Sequence, residues 1–307
     1  MYPPPPSIEA EVFTRIPEKF SQGNRGSEWA TVQIHGAPSP TFLEGPVFDN
    51  DGFLWVTDIP WGRLFKISPR GEVEVGAEYD GYPNGIKFLK DGRGVIACHK
   101  RGLMQFDPRT GEVTPLVERH MMEPFKGCND LCVASNGDIY FTDQGQSGLH
   151  LPNGRLYRLT PEGKLHVVLD HIPSPNGLVL SRSETFIFLA VTRENAIWRV
   201  PLTEHGSVTK VGRFIQMSGG NGPDGVAIDA EDNLAICHVG IGSVWLFSNV
   251  GEPMLRIRAP EGTGRMTTNC AYGGPDNKTL FITESTSGTI LTAQMPVAGR
   301  LLPSQTP

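Results

Sequence analysis

The chain has 307 residues, of which 27 are Lys or Arg and 33 are Asp or Glu, so its formal net charge is −6. A mildly acidic chain without a basic run lacks the charge that phosphate backbones attract, and we expect no nucleic-acid partner. No apolar stretch reaches the roughly 18 residues of a membrane span, and the proline-rich amino end does not resemble a secretory signal, so we expect a cytoplasmic protein without a membrane partner.

Two strand-like segments, residues 10–15 and 30–35, follow the first prolines. Six similar units come after them. Each unit starts with an acidic or amide residue that leads into a short apolar strand, and these first residues are Glu44, Asn84, Asn129, Asn176, Asp224 and Asn269. The steps between them are 40, 45, 47, 48 and 45 residues.

A polar turn, such as the Asn-Asp-Gly of residues 50–52, separates the first apolar strand of each unit from the second. Asn-Gly or Asp-Gly between apolar runs is a strong hairpin signal, because these residues accept the positive φ of tight turns. Four short strands in each unit of ~45 residues, without helical periodicity, are typical of propeller blades. The sequence therefore predicts an all-β, six-bladed β-propeller with four-stranded blades.

The sixth unit supplies only three strands, near residues 269–273, 279–283 and 288–295. We expect one of the two early segments to provide its fourth strand, so that residues 8–43 close the last blade and hide a sheet edge. The whole chain, 1–307, is then expected to form a single propeller domain. The proline-rich ends, residues 3–6 and 303–307, are expected to be loose tails.

The first residues of the six units should face one another across the propeller axis, because the innermost strands converge there. They form an expected ring of oxygen ligands at one mouth and predict a central site for one divalent cation. Ca²⁺ fits such ligands best, with Mg²⁺ and Mn²⁺ as alternatives. Zn²⁺ is the weakest alternative, because no His or Cys occupies the ring.

A second set of positions lies about fourteen residues beyond the first, where the hairpin brings the chain back. These positions are Asp58, His99, Asp143, Ala190, His238 and Glu284. Five of the six are ionisable, which favours groups that hold the ligands or line a pocket. The alternative interpretation is solvated charge at the ends of strands.

Four motifs, in order and at blade spacing, resemble those of the senescence marker protein-30, gluconolactonase and luciferin-regenerating-enzyme-like family. They are the Glu-Gly-Pro at Glu44, the Asn-Asp unit at Asn129 with its strand ending in Asp143, the Pro-Asn-Gly at Asn176, and the Pro-Asp-Gly at Asp224. The resemblance runs from about Glu44 to Thr292. It implies a six-bladed propeller with a divalent metal, and hydrolysis of lactones by many members.

The same resemblance implies individual roles. Glu44, Asn176 and Asp224 match the metal ligands, and Asp224 matches the ligand that also serves as the catalytic base. Asn129 matches an asparagine that binds the metal directly or through water or substrate.

Two positions depart from the family pattern. Sugar-lactonase members carry an arginine where this chain has Gly127, so an aldonolactone substrate is not expected. Paraoxonase-like propellers carry a histidine where this chain has Asn84, which disfavours a histidine-based mechanism of that kind.

These observations predict a metal-dependent hydrolase that opens a small lactone or related ester with metal-activated water. Asn84, Asn129, His99 and His238 are predicted to contact the substrate, and Asp58 and Asp143 to support the ligands. Two alternatives remain open: a phosphotriesterase that uses the same site, and a ligand-binding propeller without chemistry. Two carboxylates close together favour the metal enzyme, because their repulsion is costly without a cation. The oligomeric state is not determined by the sequence.

Overall fold

Six antiparallel sheets surround a common axis in the computed structural model, which describes residues 2–203 and 207–305. Each innermost strand packs against the innermost strand of the next sheet, and the sixth packs against the first, so the ring is closed. The predicted six-bladed, all-β propeller is confirmed. In the described ranges, no helix is long and apolar enough to cross a membrane.

Each blade runs from the axis outward. Blade 1 contains β3 (Leu43–Phe48), β4 (Leu54–Asp58), β5 (Arg63–Ile67) and β6 (Val73–Glu78), and blade 2 contains β7 (Pro83–Phe88), β8 (Gly94–Cys98), β9 (Gly102–Asp107) and β10 (Glu112–Val117). A small hairpin of β11 (Arg119–His120) and β12 (Glu123–Pro124) follows. Blade 3 contains β13 (Cys128–Val133), β14 (Ile139–Asp143), β15 (Gly154–Leu159) and β16 (Leu165–Ile172).

The second half of the ring repeats this pattern. Blade 4 contains β17 (Pro175–Leu180), β18 (Phe186–Val191), β19 (Ala196–Pro201) and β20 (Gly212–Gln216). Blade 5 contains β21 (Gly222–Ile228), β22 (Leu234–Val239), β23 (Ser243–Phe247) and β24 (Pro253–Arg258), and β1 (Ser7–Glu9) adds a parallel fifth strand to β24. Blade 6 contains β25 (Thr267–Gly273), β26 (Thr279–Glu284), β27 (Thr289–Gln294) and β2 (Glu11–Arg15).

The core is divided among the gaps between blades. Successive side chains of a strand point to opposite faces of its sheet. In β4, Leu54 and Val56 therefore pack toward blade 6, while Trp55 packs toward blade 2. Since both faces of the second strands are covered in this way, these strands are apolar over nearly their whole length.

The last blade receives its outer strand from the amino-terminal part of the chain. β2 pairs antiparallel with β27, and the ring of Phe13 meets that of Phe281 edge-on at 5.2 Å. Of the two candidate segments, the first is thus the strand. The second is not a strand, because residues 28–33 form helix α1 (Glu28–Gln33).

Helix α1 begins where the Ser27 Oγ accepts the backbone N–H of Ala30 at 3.0 Å. This N-cap outweighs the alternating pattern that suggested a strand. The helix buries Trp29 and Ala30 against Ile59 of blade 1. It thereby lies beside the mouth of the channel.

The carboxyl-terminal segment packs against the opposite end of the channel. Of the tail expected to be loose, 303–307, the described residues 303–305 form a 3₁₀ turn with Ser304 buried, so the expectation is wrong for them. The Arg300 guanidinium donates to the carbonyl oxygens of Leu180 and Ser181 at 2.9 and 2.5 Å and to the Glu184 carboxylate at 2.8 Å. Leu302 packs against the core between blades 1 and 2. The amino-terminal prolines likewise lead into a paired strand, since the carbonyl of Pro6 accepts the backbone N–H of Arg256 at 2.9 Å.

Candidate active site at the channel mouth

A cavity of about 910 Å³ opens at the mouth of the channel where the ring residues lie. The first residues of five units line it together, namely Glu44, Asn84, Asn129, Asn176 and Asp224. Four of them are buried and Asp224 is half-buried. The structure therefore brings together five of the six residues that the repeat placed in the ring.

Irregular pairing directs these side chains toward the axis. In blade 4, Pro175 pairs with Val191 and Leu178 with Leu189, so Asn176 and Gly177 stand opposite a single residue. Blades 2, 3 and 5 show the same two-against-one arrangement. A β-bulge of this kind re-aims a side chain that regular pairing would place in the sheet face.

The sixth blade departs from the sequence alignment by one residue. Thr267 pairs with Glu284 and Cys270 with Ile282, which makes Thr268 the equivalent of Asn129. The Thr268 Oγ1 donates to the Leu43 carbonyl at 2.8 Å, and it is not a lining residue of the cavity. The assignment of Asn269 to the ring is therefore wrong, since a one-residue shift in a strand changes the direction of every side chain.

Asn269 corresponds instead to Asp130, one position further along the channel. Its Nδ2 donates to Glu44 Oε2 at 2.8 Å and to Asp130 Oδ2 at 3.2 Å, while its Oδ1 accepts the backbone N–H of Cys270 at 2.8 Å. The amide thus holds two carboxylates and offers no free oxygen to a cation.

A hydrogen-bond chain fixes the amide of Asn176. Its Nδ2 donates to Thr192 Oγ1 at 3.2 Å, and that hydroxyl donates to the Pro223 carbonyl at 2.8 Å. The Asn176 Oδ1 is buried and has no hydrogen-bond partner in the described parts of the chain. A buried acceptor without a donor is costly, and a cation would satisfy it.

Asn129 is oriented in a similar way by a residue that the sequence did not single out. Its Nδ2 donates to Gln144 Oε1 at 3.0 Å, and Gln144 Nε2 donates to Ser174 Oγ at 2.9 Å. The Oδ1 of Asn84 is a further buried acceptor without a partner among the described residues. The five ring residues at the bottom of the cavity, Glu44, Asn84, Asn129, Asn176 and Asp224, are called the floor below. Three of them are amides, and the side-chain oxygens of Asn84 and Asn176 lack donors.

The charges at the floor do not balance. Burial, and then repulsion by Asp130, raise the pKa of Glu44 to about 7. Burial, and then repulsion by Glu44, raise the pKa of Asp224 well above its usual range. Lys87 lies nearby, with its Nζ 3.9 Å from Asp130 Oδ1. If all three carboxylates ionise, this ammonium and the guanidinium of Arg193, whose charge favours ionised Asp224, leave an excess of about one negative charge, and a divalent cation would relieve the remaining repulsion.

Asp130 is the carboxylate that the sequence analysis overlooked. It directly follows Asn129, at a place where units 1, 2, 4 and 5 have glycine. A Cβ on Gly85 would lie 2.2 Å from Asp130 Oδ1, so the glycine of the neighbouring blade leaves room for this side chain. An aspartate at a position where four other units have glycine could have identified Asp130 from the sequence.

The donor set fits a hard divalent cation. Glu44, Asn129, Asn176 and Asp224 offer carboxylate and amide oxygens only, the ligand type that Ca²⁺ and Mg²⁺ prefer. Within residues 2–203 and 207–305, no group of three or more His, Cys, Asp and Glu side chains forms a metal site. The candidate set contains only two such residues, and its amides supply the remaining oxygens.

The wall above the floor comes from the ends of the second strands: the residue directly after the strand in blades 1 to 4, and the last strand residue in blade 5. Five of these residues line the cavity, namely Ile59, His99, Gln144, Thr192 and Val239. Three of the six residues predicted about fourteen positions beyond the ring directly precede, in sequence, residues that line the wall. Only His99 of that set reaches the cavity.

The remaining members of the predicted set anchor the loops that lead into the ring. Asp58 Oδ1 accepts the backbone N–H of Phe42 at 2.7 Å, and Asp58 Oδ2 accepts from Arg63 Nε at 3.0 Å. Asp143 Oδ1 accepts the backbone N–H of Gly127 at 2.7 Å. Asp58 and Asp143 therefore hold backbone just ahead of Glu44 and Asn129, without lining the cavity. Burial raises the pKa of both, that of Asp58 to about 6.

His99 stands in the wall beside Gly127. Its ring nitrogen Nε2 lies 3.0 Å from Gln33 Nε2, and burial lowers its pKa to about 4, so the imidazole is neutral. A Cβ on Gly127, which has a φ of +152°, would lie 2.4 Å from the ring. The imidazole therefore occupies the space that a side chain at position 127 would need.

His238 is placed differently. It is 1% exposed, its Nε2 lies 2.9 Å from the Gly219 carbonyl oxygen, and it is not among the residues that line the cavity. Burial lowers its pKa as well. The structure thus separates the two histidines that the sequence treated alike.

Comparison with known proteins finds a family model that covers most of the chain. The SMP-30/Gluconolactonase/LRE-like region matches residues 42–286. A lactonase drp35 of Staphylococcus aureus (strain MW2) is 31% identical over 87% of this chain and 84% of its own length. A gluconolactonase of Zymomonas mobilis is 28% identical over 79% of this chain and 76% of its own length.

Solved structures share the fold. A calcium-binding protein, regucalcin, from Agrobacterium tumefaciens has a TM-score of 0.75 at 24% identity, with 97% of this chain and all of that chain covered. A gluconolactonase from Xanthomonas campestris has a TM-score of 0.73 at 22% identity, covering 96% of this chain and 98% of that one. The chain belongs to the SMP-30/gluconolactonase/LRE-like family.

Proposed function

We propose that the protein is a divalent-metal-dependent lactonase, a carboxylic ester hydrolase that opens a small lactone. The observation that carries the proposal is the channel floor, where two carboxylates and three amides converge on one cavity and two amide oxygens lack donors. Lactonase and gluconolactonase relatives at about 30% identity support the same class of reaction.

Glu44, Asn176 and Asp224 would hold the cation, and Asn129 would bind it directly or through water or substrate. Ca²⁺ is the first candidate, and Mg²⁺, Mn²⁺ and Zn²⁺ are alternatives. When bound, such an ion supplies Lewis acidity, which polarises a lactone carbonyl and stabilises the negative charge of the tetrahedral intermediate.

Asp224 would act as the general base that takes a proton from the attacking water. It is half-buried and lines the cavity, so water can approach its carboxylate. Burial makes a carboxylate a stronger base than usual once it is ionised. Asn84, Asn129 and the neutral imidazole of His99 line the same cavity and would contact the substrate. His238 would not contact the substrate itself, and it would instead hold the loop at Gly219 beside the cavity.

Aldonolactones are poor candidates for the substrate. The space beside Gly127, where sugar lactonases are expected to carry an arginine, is filled by the His99 ring. A lactone with fewer hydroxyl groups fits this wall better.

The test is a hydrolysis screen with and without added Ca²⁺, Mg²⁺, Mn²⁺ or Zn²⁺, over aldonolactones, aliphatic lactones, dihydrocoumarin and paraoxon. Metal-dependent opening of an aliphatic or aromatic lactone is expected. Turnover of paraoxon alone would make the protein a phosphotriesterase. Absence of turnover on every substrate, with metal bound, would favour a binding propeller.

A further inference from the structure

A second positive group lies in the cavity wall, apart from the floor. Arg193 lies on the short 3₁₀ turn Thr192–Glu194 that follows β18, and it lines the cavity. In the described parts of the chain, its guanidinium makes no hydrogen bond and no ion pair. The adjacent carboxylate of Glu194 is already engaged, since it accepts from Trp198 Nε1 at 2.5 Å and pairs with Arg213.

The turn that carries Arg193 is held in place. Asn195 adopts a left-handed conformation with a φ of 54°, and its backbone N–H donates to the Thr192 carbonyl at 3.1 Å. Its side-chain Nδ2 donates to the Gly219 carbonyl at 2.8 Å. The backbone that carries Arg193 is therefore fixed, while its guanidinium can bind a ligand.

The wall on the other side of the axis is largely apolar, although Gln33 and His35, in and just after α1, also line the cavity. Blade 1 lies opposite blade 4 in a six-bladed ring, and it contributes Phe42 and Ile59 to the cavity. Trp29 of α1 packs against Phe42 with the two rings tilted and their centroids 4.7 Å apart. The cavity thus has a hydrophobic side and, across from it, an unpaired guanidinium.

We propose that Arg193 determines substrate specificity by binding a carboxylate of the substrate, which makes the preferred substrate a lactone that carries an acid group on an otherwise apolar body. This inference rests on the proposed lactonase function. A guanidinium binds a carboxylate through two parallel hydrogen bonds, which fixes orientation as well as affinity. The apolar wall would hold the body of the molecule while Asp224 and the floor act on the ring.

A different role for Arg193 has to be separated from this one. Its charge is near enough to Asp224 to favour the ionised carboxylate there. An arginine that acted only in this way would change kcat for every lactone alike. A substrate-binding arginine changes KM, and only for substrates that carry the acid.

The kinetic experiment uses a γ-butyrolactone with a carboxylate on its ring and the corresponding carboxamide. Metal-loaded wild type should favour the acid by about 10–100-fold in kcat/KM, the range expected for a hydrogen bond to a charged group. Arg193→Met should abolish this preference through KM, and Arg193→Lys should keep part of it. Arg182→Met is the matched control, because Arg182 lies exposed in the β17–β18 turn of the same blade, away from the cavity.

Equilibrium binding gives a readout that needs no turnover. Tetrahydrofuran-2-carboxylate should bind wild type more tightly than its carboxamide, and Arg193→Met should lose the difference. A preference for the acid that survives in Arg193→Met, including the case where the variant only loses kcat equally on both lactones, would overturn the inference. Hydrolysis of both lactones without any charge preference would contradict only the role of Arg193, whereas failure to hydrolyse any lactone with metal bound would contradict the proposed function.

Discussion

The two ends of the channel are built from the same six innermost strands, yet they differ in almost every property. At the upper end the strands begin with carboxylates and amides around a cavity of about 910 Å³. At the lower end, residues such as Leu178 and Leu180 of β17 line a space of only about 90 Å³, which residues 300–305 cover. The same strand therefore contributes a polar side chain to the cavity at its start and apolar side chains to the packed interior at its end.

The difference arises within about three residues. The bulge near Asn176 aims a polar side chain at the axis, and regular pairing resumes at Leu178. Polar groups that face an open cavity can bind ligands, whereas apolar groups in a closed space stabilise the fold. Lys87 is the exception, since it borders the lower space and approaches Asp130 above it.

The largest effect is expected at the upper end, from Asp224→Asn. This variant keeps an oxygen ligand but removes the proton-accepting carboxylate. With metal saturated, turnover should fall about 10²–10⁴-fold, the usual contribution of a general base. Turnover is measured against metal concentration, with occupancy determined independently. Near-wild-type turnover at full occupancy would place the base elsewhere.

The same variant should stabilise the metal-free protein. The pKa of Asp224 is raised in the folded state, so the native protein binds its proton more tightly and loses stability as pH rises above the ordinary pKa of the carboxyl. An amide removes that cost. Urea unfolding at neutral pH without metal should show a higher midpoint for Asp224→Asn than for wild type.

Metal affinity should depend steeply on pH. Because the pKa of Glu44 is raised to about 7, the cation must displace a proton below that pH. Affinity should approach a fall of about tenfold per pH unit below pH 7, or roughly 50-fold between pH 7 and pH 5, and Asp224 should make the slope steeper. Isothermal titration at several pH values measures it. An affinity that stays constant over this range would mean that both carboxylates are ionised before the metal arrives.

Gln144→Leu tests the support of the floor. Loss of the hydrogen bond from Asn129 would free that amide to rotate, and we expect metal affinity to weaken about 10–100-fold, as for other residues that orient ligands. Gln146→Leu in the same loop is the control. An equal loss in both variants would indicate a general disturbance of the loop.

Arg300→Ala tests the lower end. It removes the hydrogen bonds to Leu180, Ser181 and Glu184, and we expect the free energy of unfolding to fall by about 1–3 kcal/mol. Turnover and metal affinity should stay at the wild-type values, because the upper end is untouched. A loss of turnover without a loss of stability would show that the two ends are coupled.

The repeat made most of the architecture predictable, since spacing and hairpin turns identify six units without any structure. Five ring positions followed from the same spacing. Asn269 did not, because the position of a bulge within a strand leaves no clear mark in the sequence, and one residue decides which way a side chain points. Three members of the set predicted about fourteen residues beyond the ring were one position away from the true wall residues for the same reason.

Other features depended on contacts that are distant in the sequence. Asp130 and Gln144 matter because of contacts with other blades: Asp130 meets Asn269 of blade 6 across the axis, and Gln144 meets Ser174 ahead of blade 4. Helix α1 was mistaken for a strand because its apolar residues alternate, while a single N-cap serine decided its conformation. Nothing in the sequence around Arg300 indicates that its guanidinium binds the carbonyl oxygens of Leu180 and Ser181, which are distant in the chain.

The most direct test of the central claim is a crystal structure of the protein soaked with Ca²⁺ or Mn²⁺, with the ion located by its anomalous scattering. The account predicts one ion at the channel floor, with side-chain oxygens of Glu44, Asn176 and Asp224 at about 2.0–2.6 Å and Asn129 in direct or water-bridged contact. An ion held by His99 or His238, or a floor that binds no ion while all four side chains keep their positions, would contradict it.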